Sequence, residues 1–512
     1  MFDPLRAVIP RHPDPTSSRK LILFLFTLPA VLWTASLQAG MFYVSTTGSD
    51  GNTGAVDSPW MTIQKGLDEA MAGDTLNIAD GVYNESLDTI RDGALGNRIT
   101  IRAENSGQAT VTNSGRVLDF DHSHITFDGI RFDGQFGTSD IIRVRTGADF
   151  GTLTGVEVLN GSRDGIDLGT NRTSSAPTDF LEGFTIADAT VHDTLWIDSN
   201  GDRQDAHGIV AGGVRDFTLS DTEVFFVSGD AFQLQDGDWD NVLVDSVKFW
   251  NGPLPEATNG FAAGVNPGEN AIDTKQDDNL PTRGRLTIRD SVFFGWNGEL
   301  IPLASALVLK EQVDVTIERS LFYDNLIALR LRGETDNNAG AFVTLKNSVL
   351  YNNDRAARFE NNLANLNLWN NTFGDGHRIF FEDGGAGGVD ELTLMILNNL
   401  FLGSKPDEAA HFSNLSASPS DFVNSAAHNY RLAPGSAAID AGIILDGVMD
   451  DFDMQSRPIG VAYDSGAFEF LDETSPIPPA NEPTSLMLCV SAALALVAFR
   501  RNRRHAPMAV SP

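Results

Sequence analysis

Residues 268 to 298 read GENAIDTKQDDNLPTRGRLTIRDSVFFGWNG, and the reading of this stretch decides the fold. Ile272 and Thr274 alternate with Asp273 and Lys275, the period of a strand that buries the first pair and shows the second to water. A polar turn follows. Leu286 and Ile288 then mark a second strand, and Val292 and Phe294 a third. Three short strands joined by turns make one coil, and variants of that coil recur along the chain.

The second and third strands of the repeat are the easiest to follow. ITFDGIRF begins at Ile125, FTLSDTEVFF at Phe217, LTIRDSVFF at Leu286, VTLKNSVLY at Val343 and LTLMILNNLF at Leu392. Across ten such segments successive starts differ by 23 to 44 residues. A period in the twenties, stretched by loop insertions, is the mark of a solenoid, and the apolar period of two makes its units strands. The predicted class is all-β. Asparagine doublets at the turns (Asn352 and Asn353, Asn370 and Asn371, Asn398 and Asn399) suit inward amide ladders and left-handed turn positions.

Composition narrows the function. The formal charge of -33 excludes a nucleic-acid binder, which needs a basic footprint. The lone cysteine, Cys489, lies in a hydrophobic tail, so the body has neither a disulfide nor a cysteine nucleophile. Near the start, Arg19 and Lys20 precede LILFLFTLPAVLWTA, and Ala39 follows. A basic flank, an apolar run and a small residue predict a secretory signal over 1–39. At the other end a Pro-rich spacer, SPIPPANEPTS, leads into LMLCVSAALALVAF and then Arg500, Arg501, Arg503 and Arg504. That order resembles the PEP-CTERM sorting signal of exported bacterial proteins. The resemblance implies a Gram-negative source, sorting machinery in the membrane as a partner, and an extracellular or surface location.

The stacked coils give a candidate site. With alternate residues buried, the exposed pairs of the first strands run Gln233 and Gln235, Asp273 and Lys275, Val308 and Lys310, Arg330 and Arg332, Arg358 and Glu360, Phe380 and Glu382. Neighbouring coils lie about 4.8 Å apart, so Lys275, Lys310, Arg330, Arg332 and Arg358 form a basic stripe. In so acidic a chain the stripe predicts an acidic polysaccharide as partner, bound by a monomer; side chains that merely solvate the sheet beside neighbouring acids are the alternative. Cleavage of a uronate by β-elimination needs a base and a cation to offset the carboxylate. Lys275 is the candidate base and Arg330 the candidate charge stabiliser. Lys310, Arg332, Arg358, Gln233, Gln235 and Trp196 are candidate substrate contacts. Calcium, which takes several carboxylate oxygens, would be held by Asp230, Asp236 and Asp273. The insertion DSNGDRQD (198–205) is either a shortened calcium loop or an ordinary turn. A lone Ala-His-Gly at His207 reads as a turn histidine.

The opening FYVSTTGSDGNTGAVDSPWMTIQKGLDEAMAGDTLNIADGVY, the coil pattern and the Asp-rich coil before a Lys-bearing strand resemble pectate-lyase-like polysaccharide lyases. The resemblance covers residues 42 to 470. It implies a single right-handed parallel β-helix with three short strands per coil and an N-terminal cap containing a short helix. It also implies calcium-and-lysine lyase chemistry. Only Asp230 stands where that family has its Asp-Asp-Gly-x-Asp element, and Asp273 stands where its base lysine follows the buried aromatic. A non-catalytic glycan-binding or matrix protein is therefore the alternative function. The expected organisation is cap and first coils over 40–115, β-helix over 116–425 and a closing segment over 426–471. A linker over 472–485, the sorting tail over 486–504 and a last stretch over 505–512 follow.

Overall fold

A strand of three to six residues that turns at once cannot pair with its sequence neighbour in the same sheet. It pairs instead with the same strand one coil later, and this pairing builds the protein. The computed structural model describes residues 39–472, apart from 170–179, 236–237, 277–281, 335–338, 362, 364 and 386–393. The leader before Ala39, the linker from 473 onward, the sorting tail, Asp236, Asp277 and Asp278 lie outside the described residues. Among the described residues no helix is long and apolar enough to cross a membrane.

Three sheets of 13, 13 and 11 strands run the length of the coils. The first extends from Met41–Val44 to Leu394–Leu397, the second from Gly81–Asn84 to Leu415–Ala417, and the third from Leu87–Asp88 to Ile379–Asp383. Each coil gives one strand to each sheet in turn, and the pairs within these three sheets are parallel, as in Val242 opposite Leu286 opposite Val315 opposite Val343. Such crossovers take the right hand in nearly all proteins. The chain is a right-handed parallel β-helix.

Inside, large rings fill the coil axis. Phe120, Phe127, Phe132, Phe184, Phe217, Phe232, Phe249, Phe293 and Phe322 are all fully buried. This use explains the high phenylalanine content. The asparagine doublets divide their labour. Asn352, Asn370 and Asn398 take the left-handed conformation, with φ of 51°, 53° and 58°. Their successors Asn353, Asn371 and Asn399 are buried, and Asn371 Nδ2 donates to Asn399 Oδ1 at 3.0 Å, as Asn399 Nδ2 does to Asn414 Oδ1. Each amide thus finds its partner one coil away, which makes burial tolerable.

The ends are covered. Helix Ile63–Glu69 is capped by Thr62, whose hydroxyl accepts from the Lys65 backbone N–H at 3.2 Å. Its buried Ile63, Gly66 and Leu67 close the first apolar layer. A Cβ at Gly66 would lie 2.8 Å from Leu76 Cδ1, so only glycine allows the helix this close. At the far end Tyr430, Phe422 and Phe468 form a second core with Leu400 of the last coils.

On the outer face of the second sheet, His192, Phe225, Trp250, Phe294, Tyr323 and Tyr351 stack ring on ring, with centroids 4.7 to 5.7 Å apart. Burial alone would lower the pKa of His192, but hydrogen bonds to Asp193 and Glu157 raise it to about 9. The charged ring therefore stabilises the fold fully below its unfolded pKa of about 6.5, and this contribution is lost as pH rises through about 9. Urea midpoints at pH 6 and pH 10 are expected to differ more for the wild type than for His192→Gln. Equal differences would remove His192 from the account.

The register of the final coil departs from the sequence expectation. Glu382, not Phe380, lies opposite Arg358. In this register Phe381 stands opposite Ala357 and packs its ring against Phe359, Phe373 and Phe401.

Candidate functional site

The third sheet presents its outward side chains in two columns. Gln233 pairs in register with Asp273, Asp273 with Val308, Val308 with Arg330, and Arg330 with Arg358. Two residues further along each strand come Gln235, Lys275, Lys310, Arg332 and Glu360. The expected phase holds, since Ile272 and Leu307 join the main core while Val308 does not. The expected exposure holds only in part. Gln233 and Asp273 are 2% and 6% exposed, because the long cationic side chains of the next coils lie over them.

Lys275 Nζ donates to Gln233 Oε1 at 2.6 Å and lies 3.8 Å from the Asp273 carboxylate. Lys310 Nζ approaches the same carboxylate at 2.9 Å. The Lys310 backbone is fixed by Thr274, whose hydroxyl accepts from Lys310 N–H at 3.0 Å. Gln235 Oε1 is shielded from water and has no hydrogen-bond partner among the described residues.

Three guanidiniums gather on Glu360. Arg330 approaches it with two nitrogens at 3.1 and 3.2 Å, Arg358 Nε at 2.7 Å and Arg332 Nε at 3.4 Å. Burial would raise the pKa of Glu360, but hydrogen bonds from Arg330 and Arg358 hold it below the ordinary value. Arg358 also reaches Glu382 at 2.6 Å, which Arg355 shares at 2.7 Å. Six cations thus surround Asp273, Glu360 and Glu382, and one of them, Arg355, also pairs with Asp354 at 3.0 Å. Arg355 stands before the alternating pair of its strand, so reading the pairs alone did not find it.

A second polar column runs along the edge of the same sheet. Ile166, Ile209, Phe232 and Ile272 are in register, and two residues before them stand Asp164, His207, Asp230 and Asn270. All four are buried. Asn270 Nδ2 donates to Asp230 Oδ1 at 2.9 Å, and the Asp230 backbone N–H donates to His207 Nδ1 at 2.8 Å. Burial, then the nearby charges of Asp273 and Glu269, push the Asp230 carboxyl well up. Burial raises Asp164 and lowers His207. His207 is therefore a member of a buried ladder, not a turn residue. Its signal in the sequence is positional: it falls in the place filled by Asp164 and Asp230 in adjacent coils.

The expected calcium ligands do not fit the ion. Asp273 faces two ammonium groups, Asp230 is buried and bound to Asn270, and Asp236 lies outside the described residues. Among the described residues no three His, Cys, Asp or Glu side chains come together as a metal site. The 198–205 insertion is a turn: Asp198 Oδ1 accepts from the backbone N–H groups of Asn200 and Asp202 at 2.9 and 3.0 Å. It leads into the hairpin strand Arg203–Gln204, opposite Trp196–Ile197. Arg203 pins this hairpin across the coils, to Pro267 O at 3.0 Å and Glu269 at 3.4 Å. Trp196 is 37% exposed on the hairpin.

No protein-family model matches the chain. Over 60 residues it is 42% identical to the uncharacterized protein YwoF of Bacillus subtilis (strain 168), a stretch that is 12% of this chain and 13% of that protein. Among solved structures the chain is similar to pectate lyase Pel9A at 16% identity, covering 85% of this chain and 97% of that one with a TM-score of 0.48. It is similar to a rhamnogalacturonan lyase at 16% identity, covering 75% and 91% with a TM-score of 0.48. An alginate lyase from Paenibacillus sp. str. FPU-7 is 17% identical, covering 64% and 94% with a TM-score of 0.39.

Proposed function

We propose that this chain is an exported β-helix protein that binds an acidic polysaccharide along its third sheet and cleaves it by β-elimination. One observation carries the reading: Lys275, Lys310, Arg330, Arg332 and Arg358, five cations, share the carboxylates of Asp273, Glu360 and Glu382 on a single face of a chain whose formal charge is -33. An excess of one sign held against the field of the whole chain suits a polymer of opposite charge. In this reading a uronate carboxylate displaces Glu360 from part of the Arg330 fork, which suits planar bidentate pairing. The neutral amine of Lys275 then takes the proton on C5. That electron pair forms the C4–C5 double bond, the bond from C4 to the glycosidic oxygen breaks, and the oxygen leaves with a proton from water. The termini extend the proposal to a place at the cell surface, reached by export and C-terminal sorting.

A second reading, binding without cleavage, is favoured by one contact. Lys275 donates to Gln233 at 2.6 Å and faces Asp273 at 3.8 Å, so as found its side-chain nitrogen is engaged by the protein. The two readings separate in one assay. The full chain is incubated with polygalacturonate and with alginate, and the ultraviolet absorbance of the unsaturated product is followed beside binding. Cleavage lost in Lys275→Ala and Lys275→Gln is the expected result. Retention of the polymers with no rise in absorbance would leave the binding reading, and neither retention nor product would end both.

A further inference from the structure

We propose that His207 is a second substrate-contacting residue of this face, a neutral imidazole whose Nε2–H donates to the bound uronate. The proposal rests on the reading above. His207 Nδ1 accepts the Asp230 backbone N–H at 2.8 Å, so that nitrogen carries no proton and the proton of the neutral ring sits on Nε2. The His207 backbone N–H is held by Asp164 Oδ1 at 3.2 Å, which fixes the residue from the other side. Nε2 makes no hydrogen bond with the protein among the described residues, although the ring is only 11% exposed.

A buried ring held at Nδ1, on a backbone itself held by Asp164, with one donor left over, is the arrangement expected of a preorganised contact. The ring lies within electrostatic reach of Lys275 and Asp273. Lys275 reaches back across Asp273 to Gln233, and Gln233 belongs to the strand that Asp230 introduces. Burial is the main force keeping the ring neutral; Asp164, Asp205 and Asp273 oppose it, and the charge of Lys275 pushes with it. A neutral donor on this face adds direction without adding another charge to be desolvated.

Two substitutions isolate the donor. His207→Asn sets its carbonyl oxygen where Nδ1 accepts from Asp230, and withdraws the donor from the Nε2 position. His207→Gln reaches the Nε2 position with an amide N–H. Binding of oligogalacturonates and oligomannuronates to the full chain is measured by calorimetry, with thermal midpoints recorded alongside. The expected result is affinity lowered tenfold or more in His207→Asn, largely recovered in His207→Gln, with similar midpoints for both variants. Affinity equal to wild type in His207→Asn overturns the proposal, as does a loss that follows the thermal midpoint in both variants. A wild-type chain that binds no oligomer overturns the functional reading itself, and this inference with it.

Discussion

Replacing Lys310, Arg330 and Arg332 together by alanine is expected to lower the affinity for an acidic polysaccharide by about 100- to 1,000-fold. The three side chains lie in adjacent coils of one sheet and share Asp273 and Glu360 with their neighbours. A hydrogen bond to a charged group contributes about 1.5 to 3 kcal/mol when made well. Each cation here must first be shared away from a protein carboxylate, so about 1 to 1.5 kcal/mol apiece is the more realistic figure by the same scale. Three such losses sum to about 3 to 4.5 kcal/mol, and each 1.4 kcal/mol is tenfold.

A second effect acts in the same direction. With Arg330 and Arg332 removed, Glu360 keeps only Arg358 at 2.7 Å. A carboxylate that had organised three guanidiniums then repels the ligand. The measurement is retention of the full chain on immobilised polygalacturonate and alginate across a salt series. Wild-type retention should fall steeply with salt, and the variant should show little retention at any concentration. Lys248→Ala with Arg285→Ala is the matched control, since those cations stand on the second and first sheets. If the control variant loses as much as the triple variant, general charge governs binding and the third sheet has no special part in it.

The fold was readable in the sequence because a coil repeats its grammar. The alternation of Ile272 and Thr274 with Asp273 and Lys275, repeated at intervals, fixed both the strands and their outward faces. The site was readable only as far as alternation reaches. It placed Lys275, Lys310, Arg330, Arg332 and Arg358 on one face. It could not show that Asp273 and Gln233 would be roofed by those same long side chains, because burial here comes from neighbours in other coils. His207 escaped for a related reason. Its partner is a backbone N–H of the next coil, and a single local motif carries no trace of that bond. The register at Glu382 goes with the packing of Phe381 against Phe359, Phe373 and Phe401, contacts that a count of alternating pairs does not weigh.

The closing segment should prove far more sensitive to one buried residue than its loop-like course suggests. Arg457 is fully buried against Glu469, with an approach of 2.5 Å, and also donates to Asp450 O at 3.0 Å and Gly466 O at 2.8 Å. Arg457→Met would leave the Glu469 carboxylate enclosed without a cation, and breaking such a pair costs about 3 to 5 kcal/mol. Removing both charges, as in Arg457→Met with Glu469→Gln, should recover much of that cost, because the penalty lies in the stranded charge. Acid should soften the defect of the single variant. Burial lifts the carboxyls of Asp451 and Asp464 to about 6, above the usual aspartate value of 3.8. A raised acid binds its proton more tightly when folded, so these two groups stabilise the segment increasingly as pH falls from about 6 toward about 4, and that help is absent above about 6. Amide exchange over residues 428–470 at pH 5 and pH 7 reads the outcome directly. The single variant is expected to lose protection at pH 7, to regain part of it at pH 5 after correction for intrinsic exchange, and to be rescued at both by the second substitution. Opening would free Asn398, whose amide donates to Ile443 O at 2.7 Å, and uncover the end of the coil stack. Protection unchanged in the single variant would mean that the last coil holds its own edge without this segment.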